Sequence, residues 1–239
     1  MSRLPNVVVL TGAGISAESG LATFRDNNGL WEEHRIEDVA TPQAFAADAE
    51  RVYRFYNARR AQLQDPEIVP NAAHKALARL EQTLGSKLML ITQNVDDLHE
   101  RAGSTEVVHM HGTLQSYRCL RSHKSVPYTS AFSSSTRCHC CTPGSPVRPD
   151  IVWFGEMPLH MERITQALTQ ADVFIAIGTS GQVYPAAGFV DIARAHNAHT
   201  VELNLESATS AHLFEETWQG PATNVVPAYV DTLLKAIAQ

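Results

Sequence analysis

Residues 8–17 read Val-Val-Leu-Thr-Gly-Ala-Gly-Ile-Ser-Ala. The apolar first half predicts a buried strand, and the second half fits the G-x-G-x-x-A pattern of loops that bind dinucleotides. In that pattern Gly12 allows a tight turn, Gly14 lets the backbone approach a pyrophosphate, and Ala17 lets a following helix pack on the strand. The phosphate is then expected on N–H groups at the positive end of that helix. A plain glycine turn is the alternative interpretation.

Further buried strands are predicted by short apolar runs that end in turn residues, at residues 88–91, 173–177 and 200–205. Apolar positions at three- and four-residue spacing predict helices at residues 42–64, 72–83, 161–170, 186–196 and 228–238. Strands that alternate with helices are typical of a doubly wound sheet. The predicted fold class is therefore α/β, a Rossmann-like parallel sheet with helices on both faces.

One segment breaks this alternation. Residues 119–148 are polar, are rich in Ser, Pro and Thr, and hold all four cysteines. We predict a small cysteine-containing, zinc-ribbon-like insert at about residues 116–149, within a single domain that spans residues 1–239. The core of that domain is expected at residues 1–115 and 150–239, and part of residues 35–70 is expected to pack with the insert.

The charge of the chain argues against nucleic-acid and membrane partners. Its formal net charge is −6, its pI is about 6.0, and no long run of like charges occurs. The first residues lack a basic leader, and no apolar run approaches the length of a membrane span. We expect a cytoplasmic, monomeric protein whose cysteines are reduced, which favours metal binding over disulfides.

A hydride-transferring dehydrogenase is not favoured. Such enzymes carry an acidic ribose ligand about 20 residues after the glycine loop. Here residues 24–31 are predicted to form a loop rather than a second strand.

Seven motifs, in the same order along the chain, resemble those of the sirtuin family. They are Gly12-Ala-Gly-Ile-Ser-Ala-Glu-Ser-Gly20 with Thr23-Phe24-Arg25 and Gly29-Leu30-Trp31; Gln93-Asn94-Val95-Asp96 with His99 and Ala102-Gly103; His109-Met110-His111-Gly112; Val152-Trp153-Phe154-Gly155-Glu156; Gly178-Thr179-Ser180; Val183-Tyr184-Pro185-Ala186; and Asn204-Leu205-Glu206. They cover almost the whole chain, so chance agreement is implausible.

The resemblance implies an NAD-dependent protein-lysine deacylase. Sirtuins cleave the bond between nicotinamide and ribose in NAD and transfer the acyl group of an acyl-lysine to the remaining ADP-ribose. NAD is thus the expected cosubstrate, and acyl-lysine proteins are the expected partners. A related enzyme that passes ADP-ribose to protein would share every NAD motif, so an ADP-ribosyltransferase is the alternative.

The same resemblance implies that NAD contacts residues in five parts of the sequence. Phe24 is expected to shield the reactive ribose carbon, and Arg25 to hold the loop closed. The loop residues are Gly12, Ala13, Gly14, Ile15, Ser16, Glu18, Ser19, Gly20, Thr23, Phe24, Arg25 and Trp31. Ribose and nicotinamide are expected at Gln93, Asn94, Val95 and Asp96; phosphate and ribose at Gly178, Thr179 and Ser180; and the adenosine at Asn204, Leu205, Glu206 and Ala222.

His111 matches the general base of the family. The reaction requires a ribose hydroxyl to lose its proton near neutral pH, and imidazole is the side chain whose ordinary pKa lies there. We interpret His109, two residues earlier, as an ordinary structural histidine.

Ala40, Tyr56 and Arg59 resemble the acyl pocket of class III sirtuins. There a small residue widens the pocket, and a Tyr and an Arg three residues apart contact a carboxylate. The chemistry is sound because a guanidinium binds a carboxylate through two bonds. We therefore predict removal of succinyl, malonyl and acetyl groups. The alternative is a solvated helix face, as we assume for the neighbouring arginines Arg51, Arg54 and Arg60.

The substrate peptide is expected to pair through its backbone as an added strand. The resemblance locates this groove at Val152, Phe154, Gly155, Glu156, Val183 and Tyr184.

The cysteine pattern is incomplete. Sirtuins hold structural zinc with two C-x-x-C pairs, but here Ser122 replaces the second cysteine of the first pair. We assign Cys119, Cys138 and Cys141 as zinc ligands, with Cys140, His123 or His139 as the fourth. An insert without metal is the alternative.

Overall fold

The computed structural model describes residues 3–21, 30–31, 34–206 and 211–239, with only the backbone of Leu30 and Trp31. Its strands are β1 (Val7–Thr11), β2 (Leu30–Trp31), β3 (His34–Arg35), β4 (Leu88–Thr92), β5 (Val107–His109), β6 (Gly112–Cys119), β7 (Ser125–Pro127), β8 (Val147–Ile151), β9 (Val173–Ile177), β10 (His199–Asn204) and β11 (Glu216–Gln219). Its helices are α1 (Ile36–Val39), α2 (Pro42–Ala47), α3 (Ala49–Leu63), α4 (Ala72–Leu84), α5 (Leu98–Arg101), α6 (Met161–Thr169), α7 (Phe189–Ala195) and α8 (Ala222–Ile237).

The main sheet is parallel and has the strand order β11-β10-β9-β1-β4-β5. Alternate residues of β1 face opposite sides: Val7 and Val9 pack with α4 and α8, whereas Val8 and Leu10 pack with α6 and α7. Burial on both faces explains why the strands read as continuous apolar runs. The predicted α/β fold with helices on both faces is confirmed.

Some element boundaries differ from the prediction. The helix predicted at residues 42–64 is two helices, because Asp48 leaves the helical conformation and caps α3 by accepting a hydrogen bond from Arg51 N at 2.9 Å. The helix predicted from residue 228 begins at Ala222 and contains Pro227. Within the described ranges, no helix combines the length and apolar character that a bilayer crossing requires.

The regular helix predicted after the glycine loop is wrong. Two short 3₁₀ turns follow β1 instead, at Ala13–Ile15 and Ala17–Ser19. Gly14 is explained by its neighbour: a Cβ there would lie 2.7 Å from the Cα of Gly178. At this position, therefore, glycine is required for contact between the loop and the end of β9. An approach of Gly14 to a pyrophosphate remains a prediction.

The cysteine-containing segment forms a second, antiparallel sheet with the order β7-β6-β8. It packs against α3, where Tyr53 joins a buried cluster with Tyr117 and Phe132. The Tyr53 hydroxyl donates a hydrogen bond to Val147 O at 2.6 Å. One face of α3 is thus fixed to the insert.

Gly112 begins β6 at a crowded position with φ of +82°, and a Cβ there would lie 2.0 Å from Asp150 O. Gly85 also has a positive φ, +52°, but an added Cβ would meet nothing within 4 Å.

We expect Gly85→Ala to lower the free energy of unfolding by about 1–2 kcal/mol, the cost of the backbone conformation alone. Gly112→Ala should cost about 2 kcal/mol more because of the added overlap. Urea unfolding of both variants tests this, and equal losses would contradict it.

Candidate active site

The loops that follow β1, β4, β9 and β10 meet at the carboxyl-terminal edge of the sheet. Backbone hydrogen bonds join them: Gly12 N donates to Ile177 O and Gln93 N to Thr11 O, both at 2.9 Å. Gly14 N donates to Gly178 O at 3.0 Å. In open α/β sheets, ligands bind in the crevice at this edge.

A small cavity lies at this edge, and its lining includes Gln93, Thr179, Ser180 and Val183. A larger groove of about 720 Å³ lies at the opposite edge, between α4 and α6, and is lined by none of the predicted site residues. The positions of the predicted site residues therefore identify the candidate site, whereas the size of the cavity does not.

Three predicted NAD ligands form one buried network. The Asn94 amide donates to Gly12 O at 3.2 Å and to Ser16 Oγ at 3.1 Å. The Ser16 hydroxyl in turn donates to Asp96 Oδ2 at 3.1 Å. Burial raises the pKa of the Asp96 carboxyl, although hydrogen bonds from Leu98 N and Ser16 oppose the shift. The glycine loop and the loop after β4 are thus held together by polar side chains.

Two buried histidines lie directly behind this network. His74 Nε2 is 3.5 Å from Ser16 Oγ, and His99 Nε2 is 3.0 Å from Thr11 Oγ1. Burial lowers the pKa of His74 to about 4 and that of His99 well below its usual value. Both rings are therefore neutral near pH 7. Sequence reasoning did not single out His74, because its contact with Ser16 joins residues 58 positions apart.

His111 lies beside the same network with a defined tautomer. Its Nδ1 is 3.0 Å from Gln93 O. Because a carbonyl oxygen can only accept, Nδ1 carries the proton and Nε2 is left with a lone pair. Burial lowers the pKa of His111, partly offset by the bond to Gln93. The ring is thus a neutral base near pH 7.

His109 has the opposite character. Its Nε2 lies 2.6 Å from Glu100 Oε1, and its Nδ1 lies 3.4 Å from Asn94 O. Both partners are acceptors, so they favour the protonated ring, in which both nitrogens donate. Burial opposes that charge, but the bond to Glu100 raises the pKa of His109. This agrees with its interpretation as a structural histidine.

Two of the predicted acyl-pocket residues, Ala40 and Tyr56, belong to one buried cluster. Ala40 is buried, and its carbonyl accepts from Phe154 N at 3.0 Å. Tyr56 is fully buried on α3 and accepts a hydrogen bond from Trp153 Nε1 at 3.0 Å. Arg59, one turn later, is half-buried, with its guanidinium carbon 5.4 Å from the centre of the Phe55 ring.

The other arginines of α3 divide into two groups. Arg51 and Arg54 are exposed, as assumed. Arg60 is buried, donates to Ser130 O at 2.6 Å and to Tyr128 O, and lies 4.4 Å from the Phe132 ring centre. The assumption that Arg60 is solvated is therefore wrong, because it anchors α3 to the insert.

Exposed apolar side chains border the predicted peptide groove. Phe154, Val183 and Tyr184 are 48%, 40% and 78% exposed. Met157, which sequence reasoning missed, is 76% exposed. The Glu156 carboxylate accepts from Arg148 at 2.6 and 2.8 Å and from Trp153 N at 2.8 Å, and its contact with a substrate peptide stays a prediction.

The remaining predicted residues have varied surroundings. Glu18 accepts from Thr223 N at 3.0 Å and from its hydroxyl at 2.7 Å, so it caps α8 just after Ala222. Asn204 donates to Thr179 O at 2.8 Å. Ile15 and Ser19 are buried, whereas Leu205 and Glu206 are exposed. Thr23, Phe24 and Arg25, and the side chain of Trp31, lie outside the described residues.

The four cysteines form one cluster. The Sγ atoms of Cys119, Cys138, Cys140 and Cys141 all lie within 4.8 Å of one another. The Cys119–Cys138 and Cys119–Cys141 sulfur distances are 3.4 and 3.7 Å. Zinc bound to four sulfurs at about 2.3 Å in a tetrahedron requires sulfur separations of about 3.8 Å. The cluster therefore fits a zinc ion, and no histidine of the described chain joins it.

Ser122 supports this cluster from the position of the replaced cysteine. Its hydroxyl lies 3.2 Å from Cys140 Sγ, and its N–H donates to Cys119 Sγ at 3.4 Å. Hydrogen bonds from the side chain and the backbone N–H of Ser122 lower the pKa of the Cys119 thiol. Thiolates are the form that binds zinc, so this shift favours Cys119 as a ligand, whereas burial raises the pKa of the Cys141 thiol.

Comparisons with known proteins agree with this geometry. The model of the Sir2 family matches residues 12–185. The chain is 60% identical to an NAD-dependent protein deacylase of Escherichia coli over 233 residues, which are 98% of this chain and 84% of the relative. It is 58% identical to a protein of the same name from Salmonella typhimurium over 237 residues, with 99% and 87% covered. A solved complex of a Sir2 homologue with NAD superposes with a TM-score of 0.85 at 41% identity, covering 97% of this chain and 90% of that one.

We expect the purified protein to contain about one zinc ion per chain, held by four cysteines. Cys140→Ser should lose most of the metal, because it removes one of the four sulfurs. His139→Ala is the matched control: it changes an adjacent residue outside the cluster and should retain zinc. Elemental analysis after dialysis measures both. Full zinc content in Cys140→Ser would refute the assignment.

Proposed function

The chain belongs to the Sir2 family, and from that membership we propose that it is an NAD-dependent protein-lysine deacylase that removes succinyl and malonyl as well as acetyl groups. When bound, NAD supplies an electrophilic ribose carbon by loss of nicotinamide. One water molecule is also consumed, and the products are nicotinamide, the free lysine and O-acyl-ADP-ribose.

The arrangement at His111 carries the proposal. Its Nδ1–H donates to Gln93 O at 3.0 Å, so the lone pair of Nε2 is available to accept a proton from a ligand. A buried, neutral imidazole accepts a proton efficiently near pH 7. We assign it the deprotonation of a ribose hydroxyl, which then attacks the acyl group.

The polar residues at the strand ends support the assignment of the NAD site. Asn94, Asp96 and Ser16 are buried yet hydrogen-bonded, so their orientation is fixed before a ligand arrives. Gly178, Thr179 and Ser180 follow β9 at the edge where dinucleotides bind in such sheets. We assign ribose and nicotinamide to the first group and phosphate to the second.

The acyl pocket extends the proposal to acidic acyl groups. A half-buried guanidinium at Arg59 is more weakly hydrated than an exposed one, so it favours a carboxylate partner. We assign Tyr56, one turn earlier on the same helix, as a hydroxyl donor to the same carboxylate. Ala40 keeps the neighbouring wall small. This pocket also favours deacylation over transfer of ADP-ribose to protein.

Acyl-lysine proteins are the proposed partners, bound along the exposed side chains of Phe154, Val183 and Tyr184. The net charge of −6 speaks against a nucleic-acid partner. The proposal includes a monomeric, cytoplasmic enzyme, in agreement with four free cysteines.

Incubation of an acyl-lysine peptide with the protein and NAD, followed by mass spectrometry, tests the activity. We expect acyl loss only with NAD, together with acylated ADP-ribose. A gain of one ADP-ribose by the peptide would instead indicate the transferase.

His111→Ala should lose activity by at least about 100-fold. The rate should fall on the acid side with a midpoint below about 6.5, because burial lowers the pKa of His111 and only its neutral form accepts a proton.

Arg59→Met tests the acyl pocket. Loss of a charge-assisted hydrogen bond costs about 2 kcal/mol, so kcat/KM for a succinyl-lysine peptide should fall about 30-fold relative to that for an acetyl-lysine peptide. Arg54→Met, an exposed arginine on the same helix, is the control and should leave this ratio unchanged. Equal losses on both peptides in Arg59→Met would remove the claim.

A further inference from the structure

Trp153 contacts the hydroxyl of Tyr56 in a buried environment. Its indole Nε1 lies 3.0 Å from Tyr56 Oη. An indole N–H can only donate, so the phenol oxygen is the acceptor in this bond. Trp153 is 2% exposed and Tyr56 is fully buried, so water does not compete for the bond.

The direction of this bond determines what Tyr56 can offer a ligand. A phenol has a single proton, and the bond from Trp153 does not use it. Burial raises the pKa of the Tyr56 phenol far above its usual value, so the proton is retained throughout the working pH range. With its acceptor side occupied by Trp153, the hydroxyl acts toward an acyl group as a donor.

Independent contacts fix the orientation of the indole. The guanidinium carbon of Arg148 lies 3.4 Å from the ring centre of Trp153. Arg148 is bound by Glu156, which also accepts from the backbone N of Trp153 at 2.8 Å. Phe45 packs nearby, with ring centres 5.2 Å apart. The indole N–H is therefore directed at Tyr56 before any substrate binds.

We propose that Trp153 is a positioning residue for acyl-group selection: its N–H occupies the acceptor side of Tyr56, so that the hydroxyl donates to the carboxylate of a succinyl or malonyl group. The inference rests on the proposed function of Tyr56 and Arg59 and adds the residue that orients one of them. An acetyl group has no carboxylate at that depth, so its removal does not depend on this donor.

Two substitutions test the inference in the active enzyme with NAD. Trp153→Phe keeps an aromatic ring but removes the N–H. Site-specific replacement of Trp153 by 3-benzothienylalanine puts sulfur in place of N–H and preserves the ring size. The kcat/KM for succinyl-lysine relative to acetyl-lysine peptide should fall about fivefold in both, the effect of losing one buried hydrogen bond. The change should appear mainly in KM for the succinyl peptide.

Trp218→Phe is the matched control. Trp218 also donates its indole N–H, to Glu216 Oε1 at 2.6 Å, but it lies on the edge strand β11. The same loss of ring and N–H there should leave the succinyl-to-acetyl ratio at the parent value. A fall in this control would show that any lost tryptophan changes the ratio, and would overturn the inference.

Tyr56→Phe, alone and combined with Trp153→Phe, separates orientation from packing. If Trp153 acts through the Tyr56 hydroxyl, its substitution should change the ratio by less than about 1.5-fold once that hydroxyl is gone. A fivefold fall in both backgrounds would mean that Trp153 acts through packing, against the inference.

Different results would overturn the proposed function and the role of Trp153. A parent enzyme that removes no succinyl group would overturn the proposed function, and the inference with it. A parent that removes succinyl and responds to Arg59→Met, but whose benzothienyl variant keeps the parent ratio, would overturn only the role of Trp153.

Discussion

Backbone contact between the glycine loop and the end of β9 is the constraint on which the site depends. Gly14 and Gly178 approach so closely that a Cβ on either would lie within 2.8 Å of the other's backbone. Their hydrogen bond, from Gly14 N to Gly178 O, joins the two segments that carry the predicted phosphate ligands. The loop after β4 attaches to this pair through Asn94. The loops after β1, β4 and β9 are thereby held against one another.

Burial then gives similar side chains different chemistry. Burial keeps His74 neutral, whereas a hydrogen bond to the Glu100 carboxylate favours the protonated form of His109. His111 lies between these extremes: it is mostly buried, and a carbonyl fixes its tautomer. This combination leaves the lone pair of Nε2 in a defined position on a neutral ring. The proposed role of His111 as a base agrees with these surroundings.

The sequence predicted those parts of the fold that depend on local pattern. Strands buried on both faces read as apolar runs, so the centre of the sheet was recognisable, but the short edge strands β5 and β11 were not. The 3₁₀ turns after β1 depend on contact with Gly178, and the burial of Arg60 depends on the insert. Motifs identified His111 and the cysteines. His74 and the link from Trp153 to Tyr56 join residues distant in sequence, and no local pattern marks such contacts.

The insert holds the helix that carries two residues of the proposed acyl pocket, even though it supplies none of the pocket residues itself. Consecutive residues on a helix point about 100° apart, so Arg59 and Arg60 reach different surroundings from one turn of α3. Arg60 donates to carbonyls of the insert, and Tyr53, two turns earlier, donates to Val147 O on β8. These bonds fix the position and rotation of α3, and hence where Arg59 and Tyr56 lie. A metal bound by the cysteine cluster would therefore support the shape of the proposed acyl pocket without taking part in the chemistry.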